Sequence, residues 1–372
     1  MNYFMNYSNF KIDLADSNIT FSVIFIILLG LILFTLKKDT NSYFDINTTN
    51  SLRGVAVLFL LFGHLSGKCL KHKMWFNSGG YWAVIIFLFI SGYGLYQRYK
   101  LNGISGKFWK KRILKLYIPL WITLILFIVL DIFLIHLYHP LPEIILNFLG
   151  IHLNGAIIRV NAVAWFVEYI MVLYFIYWLA SKLPYGEVIK LITLFFLCFL
   201  VSMVIYISPI KNYHSIWLKY TIVFPAGVLF SKYKTEILIL LSNKIKNQFL
   251  VLIPIFISLI IFYKWNQLIP INSLQLIRPL ALLLPIILFF IIYEKLNLQS
   301  TFLMFIGSYS LEIYLLHIPF MVKYDFILFR KPLYISFFVY FSFLLFFSYL
   351  LAQASIIINE RLVSGDHKKY NK

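Results

Sequence analysis

An arginine and a histidine stand eleven residues apart in a stretch that is otherwise nearly all apolar, Ser51-Leu-Arg-Gly-Val-Ala-Val-Leu-Phe-Leu-Leu-Phe-Gly-His-Leu-Ser-Gly67. At 3.6 residues per turn that spacing is about three turns. Arg53 and His64 therefore project from one helix face, about 16 Å apart along the axis. A guanidinium grips anions in a fixed fork, and an imidazole exchanges protons near neutral pH. Both are costly in a lipid-spanning helix, where an ionisable group faces the bundle interior and has a partner. The pair thus links a surface cation to a deep titratable base. Two plainer roles stay open, a topology anchor for Arg53 and a helix-to-helix hydrogen bond for His64.

Four further stretches interrupt the apolar pattern. In Phe87-Leu-Phe-Ile-Ser-Gly-Tyr-Gly-Leu95 the small residues Ser91, Gly92 and Gly94 let another backbone, or a thin ligand, come close. In Phe108-Trp-Lys-Lys-Arg-Ile-Leu-Lys-Leu-Tyr-Ile-Pro119 a basic patch of Lys111, Arg112 and Lys115 precedes a span, with Arg112 and Lys115 on one face. Such a patch grips a phosphorylated ligand or serves as a topology signal. Glu168 lies within Ala164-Trp-Phe-Val-Glu-Tyr-Ile-Met-Val-Leu-Tyr174, at a depth near that of His64. A carboxylate there would fix the imidazole tautomer, or would make a structural contact to an arginine or tyrosine. Glu312, Tyr314 and His317 fall in Gly307-Ser-Tyr-Ser-Leu-Glu-Ile-Tyr-Leu-Leu-His-Ile-Pro319. They predict a polar cluster inside the bundle, with no direct catalytic part for His317. Asp131, His136 and Arg278 read as lying near interfaces.

The elements that must position these groups are membrane helices. The 372 residues are 61% hydrophobic, 19% aromatic and only 13% charged, where a soluble domain is nearer half apolar and a quarter charged. Apolar runs long enough to cross the hydrocarbon layer recur at about 19–36, 53–69, 80–97, 114–137, 163–181, 188–207, 214–231, 248–264, 274–293, 304–322 and 333–356. The fold class is an all-α polytopic membrane protein of about 11 transmembrane helices. The first run lacks a preceding basic stretch and a small-residue cleavage site, so it reads as a retained span.

The net charge of +19 belongs to loops that orient the chain and meet anionic lipid, and no nucleic-acid motif accompanies it. The basic loop between the third and fourth runs is expected to be cytoplasmic. The amino terminus then lies outside and the carboxyl terminus inside a plasma or inner membrane. Cys69 and Cys198 have neither metal nor redox spacing, so no metal is expected.

These stretches, in this order, resemble the acyltransferase-3 family of integral membrane O-acyltransferases. The likeness begins at Ser51-Leu-Arg-Gly-Val-Ala and continues through Phe89-Ile-Ser-Gly-Tyr, Lys111-Arg112 to Pro119, Trp165 to Glu168, and Tyr309 to Pro319. It implies a ten-helix core over 46–356, preceded by one extra helix and a loop (1–45) and followed by a cytoplasmic tail (357–372). It also implies an enzyme that takes an acyl group, usually acetyl, from cytoplasmic acetyl-CoA and delivers it to a hydroxyl of a cell-surface polysaccharide or lipid-linked glycan. Arg53 and His64 match the family's essential arginine and histidine, and Glu168 a recurrent membrane glutamate. Arg112 matches a position facing the CoA phosphates, with Lys111, Lys115, Arg53 and Ser91 as further donor-binding candidates. Lys115 replaces an arginine often found there, losing forked phosphate recognition. Some relatives carry an appended esterase-like domain. With none expected here, the bundle acts alone or with a partner. The competing class is a glycan or small-molecule transporter whose passage these same ionisable groups would line.

Overall fold

The computed structural model describes residues 11–38, 45–70, 75–101, 104, 106–151, 160–207, 216–237 and 298–369. Lipid offers no hydrogen-bonding partner to a bare backbone, so the chain crosses as helices that satisfy themselves. Helix α1 (Leu14–Phe34) starts at Asp13, whose side chain accepts from Asp16 N at 2.9 Å. Helix α2 (Ile46–Cys69) starts in the same way at Asp45, which accepts from Thr48 N at 2.8 Å. Then come α3 (Gly79–Tyr99), α4 (Phe108–Leu134), the short α5 (Leu141–Leu149), α6 (Trp165–Lys182) and α7 (Glu187–Ile207). The last described elements are α8 (Val223–Lys232), α9 (Thr301–Ser308), α10 (Ser310–Ile318) and α11 (Leu333–Lys369).

Six of these helices are long and apolar enough to cross a membrane: α1, α2, α3, α4, α7 and α11. A seventh crossing forms if α9 and α10 with their continuation count as one span. The all-α polytopic fold expected from composition is therefore present. The expected spans 248–264 and 274–293, with Arg278, lie outside the described residues.

Two expected straight spans are broken. The run 214–231 is a short 3-10 turn, Trp217–Tyr220, followed by the ten-residue α8. The run 304–322 bends by 66° between α9 and α10. Hydropathy reports that a segment is apolar and says nothing of whether it is straight.

Burial separates a centre from a periphery. The apolar windows of α1 and α7 have mean hydropathies of 2.5 and 2.7, and only 28% of each is buried against protein. Outward residues such as Phe25, Ile26, Ile192 and Phe196 form their exposed faces, as expected where the surrounding solvent is hydrocarbon. Helices α2 and α3 are less apolar, at 1.3 and 1.4, yet 61% and 72% buried. The helix that carries Arg53 and His64 is therefore a central one.

Backbone-to-backbone approach holds that centre together. A Cβ at Gly54 of α2 would strike the Leu303 carbonyl of α9, and one at Gly307 of α9 would strike the Asn50 carbonyl of α2. Gly92 of α3 and Gly227 of α8 form a second reciprocal pair, against the carbonyls of Phe224 and Phe89. Small residues allow such contact, and in lipid the close packing it creates is what binds helices.

Two polar devices fasten the ends of the bundle. At the Arg53 end, strands β1 (Leu36–Lys38) and β2 (Leu298–Ser300) pair antiparallel, and Thr35 Oγ1 meets Ser300 Oγ at 2.7 Å. At the His64 end, Asp131 is fully buried at the close of α4. Its carboxylate accepts from Lys323 Nζ and Tyr324 OH, and it meets His139 Nε2 at 2.7 Å. His136, by contrast, is exposed, with a left-handed backbone at φ 52°.

Two outcomes are expected. Gly307→Val should cost about 1–3 kcal/mol or more through overpacking against the Asn50 carbonyl, seen as a lower thermal midpoint of the detergent-solubilised protein. Asp131→Ala leaves the Lys323 ammonium facing a buried gap. It should cost about 3–5 kcal/mol, and Asp131→Asn less, on the same assay.

Candidate functional site

A cavity of about 560 Å³ opens among α2, α3, α4, α6, α9 and α10 at the Arg53 end. Four cations line it: Arg53, Arg98, Arg112 and Lys115. Two carboxylates, Asp45 and Glu312, accompany them. Such a concentration of positive charge among apolar walls attracts anions strongly, because a low-dielectric surround focuses the field.

Each cation is positioned by its own neighbours. Arg53 sits two turns into α2, where its Nη1 donates to Asn50 Oδ1 at 2.7 Å. The Asn50 carbonyl is the one that Gly307 approaches, so the tight α2–α9 crossing and the arginine's placement share a residue. Arg112 is held by aromatic faces, with its Cζ 5.1 Å from the Tyr174 ring, 5.5 Å from Tyr99 and 5.7 Å from Phe108. Each such contact is worth about 0.5–2 kcal/mol. The Nε of Arg112 is buried without a hydrogen-bond partner among the described residues. Lys115, one turn on, is within electrostatic range of Arg53, Arg98, Arg112 and Glu312.

Of the residues singled out by sequence, Arg53, Ser91, Arg112 and Lys115 come together in this cavity. Lys111 is exposed and lies outside the lining, since it is turned a third of a helical turn from Arg112. Arg98, Glu312 and Tyr174 join the lining without having been chosen from sequence as binding groups. Arg98 could have been read from its place in the last turn of α3, facing the basic start of α4. Tyr174 had no signal beyond its α6 phase.

The inner end of the cavity is aromatic. Phe87, Phe166 and Tyr314 all line it and pack on one another, with Tyr314 centroids 6.4 Å from Phe87 and 5.1 Å from Phe166. On its other side Tyr314 touches His317, at 5.5 Å between ring centroids. His317 in turn lies 5.2 Å from His64, the rings tilted by 46°. The two histidines are outside the cavity lining, with Tyr314 as the common wall.

His64 is half-buried on α2. Its Nε2 faces Gly80 of α3, where an added Cβ would stand 3.1 Å away. Glycine at position 80 thus keeps one edge of the imidazole clear. Glu168, expected beside His64, occupies the first turn of α6, half-buried and within electrostatic range of Tyr117. The ring packed against His64 belongs to His317. Among the described residues no group of three histidine, cysteine or acidic side chains could hold a metal ion.

A multi-pass helix bundle with a cation-lined cavity, backed by a packed histidine pair, is the class of protein these observations define. The chain belongs to the acyltransferase-3 family, whose acyltransferase domain matches residues 46–356. No curated protein and no solved structure matches it. The protein is a membrane acyltransferase, and it acts on an acyl donor and an acceptor.

The cavity can be tested directly. Cys69 and Cys198, the only cysteines of the chain, are buried and free. A water-soluble maleimide should therefore leave the unmodified protein unlabelled and react with Ser91→Cys. Leu88→Cys, one turn earlier and fully buried, should stay unlabelled, as mass spectrometry would show.

Proposed function

We propose that the protein is an O-acetyltransferase. It moves the acetyl group of cytoplasmic acetyl-CoA to a hydroxyl of a cell-surface polysaccharide or lipid-linked glycan. The observation that carries this reading is the four-cation cavity on the same helix as His64, with one aromatic wall between them. The Arg53 end then faces the cytoplasm, in keeping with the basic residues of the loop after α3. The core 46–356 is the catalytic unit, with residues 1–45 an added helix and loop and 357–372 a cytoplasmic tail.

In this reading the CoA phosphates rest on Arg98, Arg112 and Lys115, and Lys111 adds charge at the mouth. Ser91 and Gly94 leave room for the thin pantetheine arm. Arg53 holds that arm or polarises the thioester carbonyl, where negative charge develops as the acceptor attacks. His64 removes the acceptor hydroxyl proton, a role worth roughly 10²–10⁴ in rate. The hydroxyl oxygen forms the new ester bond to the acyl carbon, the carbon–sulfur bond breaks, and the proton on His64 passes to the leaving thiolate. Because Tyr314, Phe87 and Phe166 stand between cavity and imidazole, their side chains turn aside to admit the thioester. Glu168 supports the α6 side of the site, next to Tyr117.

The experiment is transfer of radiolabel from acetyl-CoA to glycan by purified protein in vesicles. His64→Ala should lose at least about 100-fold in turnover while remaining in the membrane. Arg53→Ala should raise KM for acetyl-CoA. Wild-type transfer by His64→Ala ends the assignment of the base. Passage of label across the vesicle without transfer replaces the whole reading with a transporter.

A further inference from the structure

His317 is fully buried, and its two ring nitrogens have very different surroundings. Nδ1 stands 2.6 Å from the Tyr314 carbonyl oxygen, one turn back on α10. A carbonyl can only accept, so Nδ1 carries the hydrogen and Nε2 of the neutral ring is left with a bare lone pair. That Nε2 is buried without a hydrogen-bond partner among the described residues. An orphaned acceptor in an apolar core is costly, so a chain that keeps one invites a reason.

The backbone holds the ring in place from outside. Tyr340 of α11 donates its hydroxyl hydrogen to the His317 carbonyl at 2.7 Å. Helix α10 itself begins only after the bend from α9. The ring is thus fixed by α10 and α11 and presented to His64, 5.2 Å away between centroids. Lys68, one turn further along α2, is within electrostatic range of His64, and its sign suits it poorly to steady a protonated imidazole.

We propose that His317 is a positioning residue for His64, a neutral partner whose Nε2 lone pair receives an N–H of His64 once that ring has taken the acceptor's proton. The inference rests on the reading of His64 as the base. When the hydroxyl proton arrives, His64 carries two N–H groups. One faces the leaving thiolate, which takes the proton at the end of transfer. The other needs an acceptor, and the unpartnered Nε2 lone pair of His317 lies on the ring packed against it. Nothing is oxidised or reduced, and His317 itself gains no proton. A small turn of the His64 ring closes the contact, and the lack of a side chain at Gly80, where a Cβ would crowd Nε2 at 3.1 Å, lets the ring turn. An uncharged partner here plays the part a carboxylate plays elsewhere, without the desolvation cost of a second buried ion.

The test compares two replacements that share the same structural loss. His317→Gln and His317→Leu both give up the bond to the Tyr314 carbonyl, but only glutamine can place an acceptor near the former Nε2. In acetyl-CoA-to-glycan transfer, Leu should lower kcat roughly 100-fold and Gln only about tenfold. KM for acetyl-CoA should be nearly the same in both, since His317 is outside the cavity lining and both variants lose the same bond to Tyr314. Equal kcat in the two variants, or a change confined to KM, overturns the proposal. Should the Leu protein not reach the membrane, His317→Asn replaces it, because its amide stops short of Nε2. It must then be as slow as expected for Leu, and wild-type turnover in Asn overturns the proposal. His64→Ala is run beside them. If it transfers at the wild-type rate, the reading of His64 falls and this inference with it. If it is inactive while the His317 variants match one another, only the positioning role falls.

Discussion

A guanidinium carried on a membrane-crossing helix must be enclosed by protein, and the bundle is arranged around that constraint. Arg53 cannot face hydrocarbon, so α2 lies at the centre, with α3 and α9 pressed against it. The residues that permit this pressing are those without side chains. Gly54 and Gly307 let two backbones meet where the Asn50 carbonyl lies, and the Asn50 side chain then holds Arg53. Charge placement and helix packing are one feature seen from two sides. Replacing lipid by protein around α2 leaves a polar hollow at one end and an imidazole pair towards the other, with Tyr314 shared between them.

Parts of this were legible in the sequence for clear physical reasons. A spacing of eleven residues has one meaning on a helix, and α2 runs unbroken through both Arg53 and His64. The i,i+3 relation of Arg112 and Lys115 likewise carries into the cavity wall. Hydropathy found the long outer helices because their surroundings select for nothing else. It failed where packing rather than solvent sets the backbone. The bend after Ser308 and the close glycine-to-carbonyl approaches at Gly307 and Gly227 are features that no hydropathy window registers. The sequence places Glu168 and His64 at similar heights, but height does not say which helix faces which. His317, far along the chain, proves to be the ring against His64.

The contrast between the two buried polar groups is instructive. Asp131 is met by Lys323, Tyr324 and His139, and a carboxylate so fully answered makes a fastening. His317 has one nitrogen answered and one bare. In a medium of low dielectric the first arrangement resists change, whereas the second retains an unmet demand that a reacting neighbour can satisfy.

The ribbon of β1 and β2 carries a consequence for biogenesis. Leu36–Lys38 is made before its partner Leu298–Ser300, which emerges some 260 residues later. At about 5–20 residues per second, the ribosome leaves the early strand unpaired for on the order of tens of seconds. Its free edge is a template for any other extended chain nearby. The insertion machinery must therefore shelter this edge until the late segment arrives, and closure of the ribbon would mark the point at which the first helix is secured to the finished bundle.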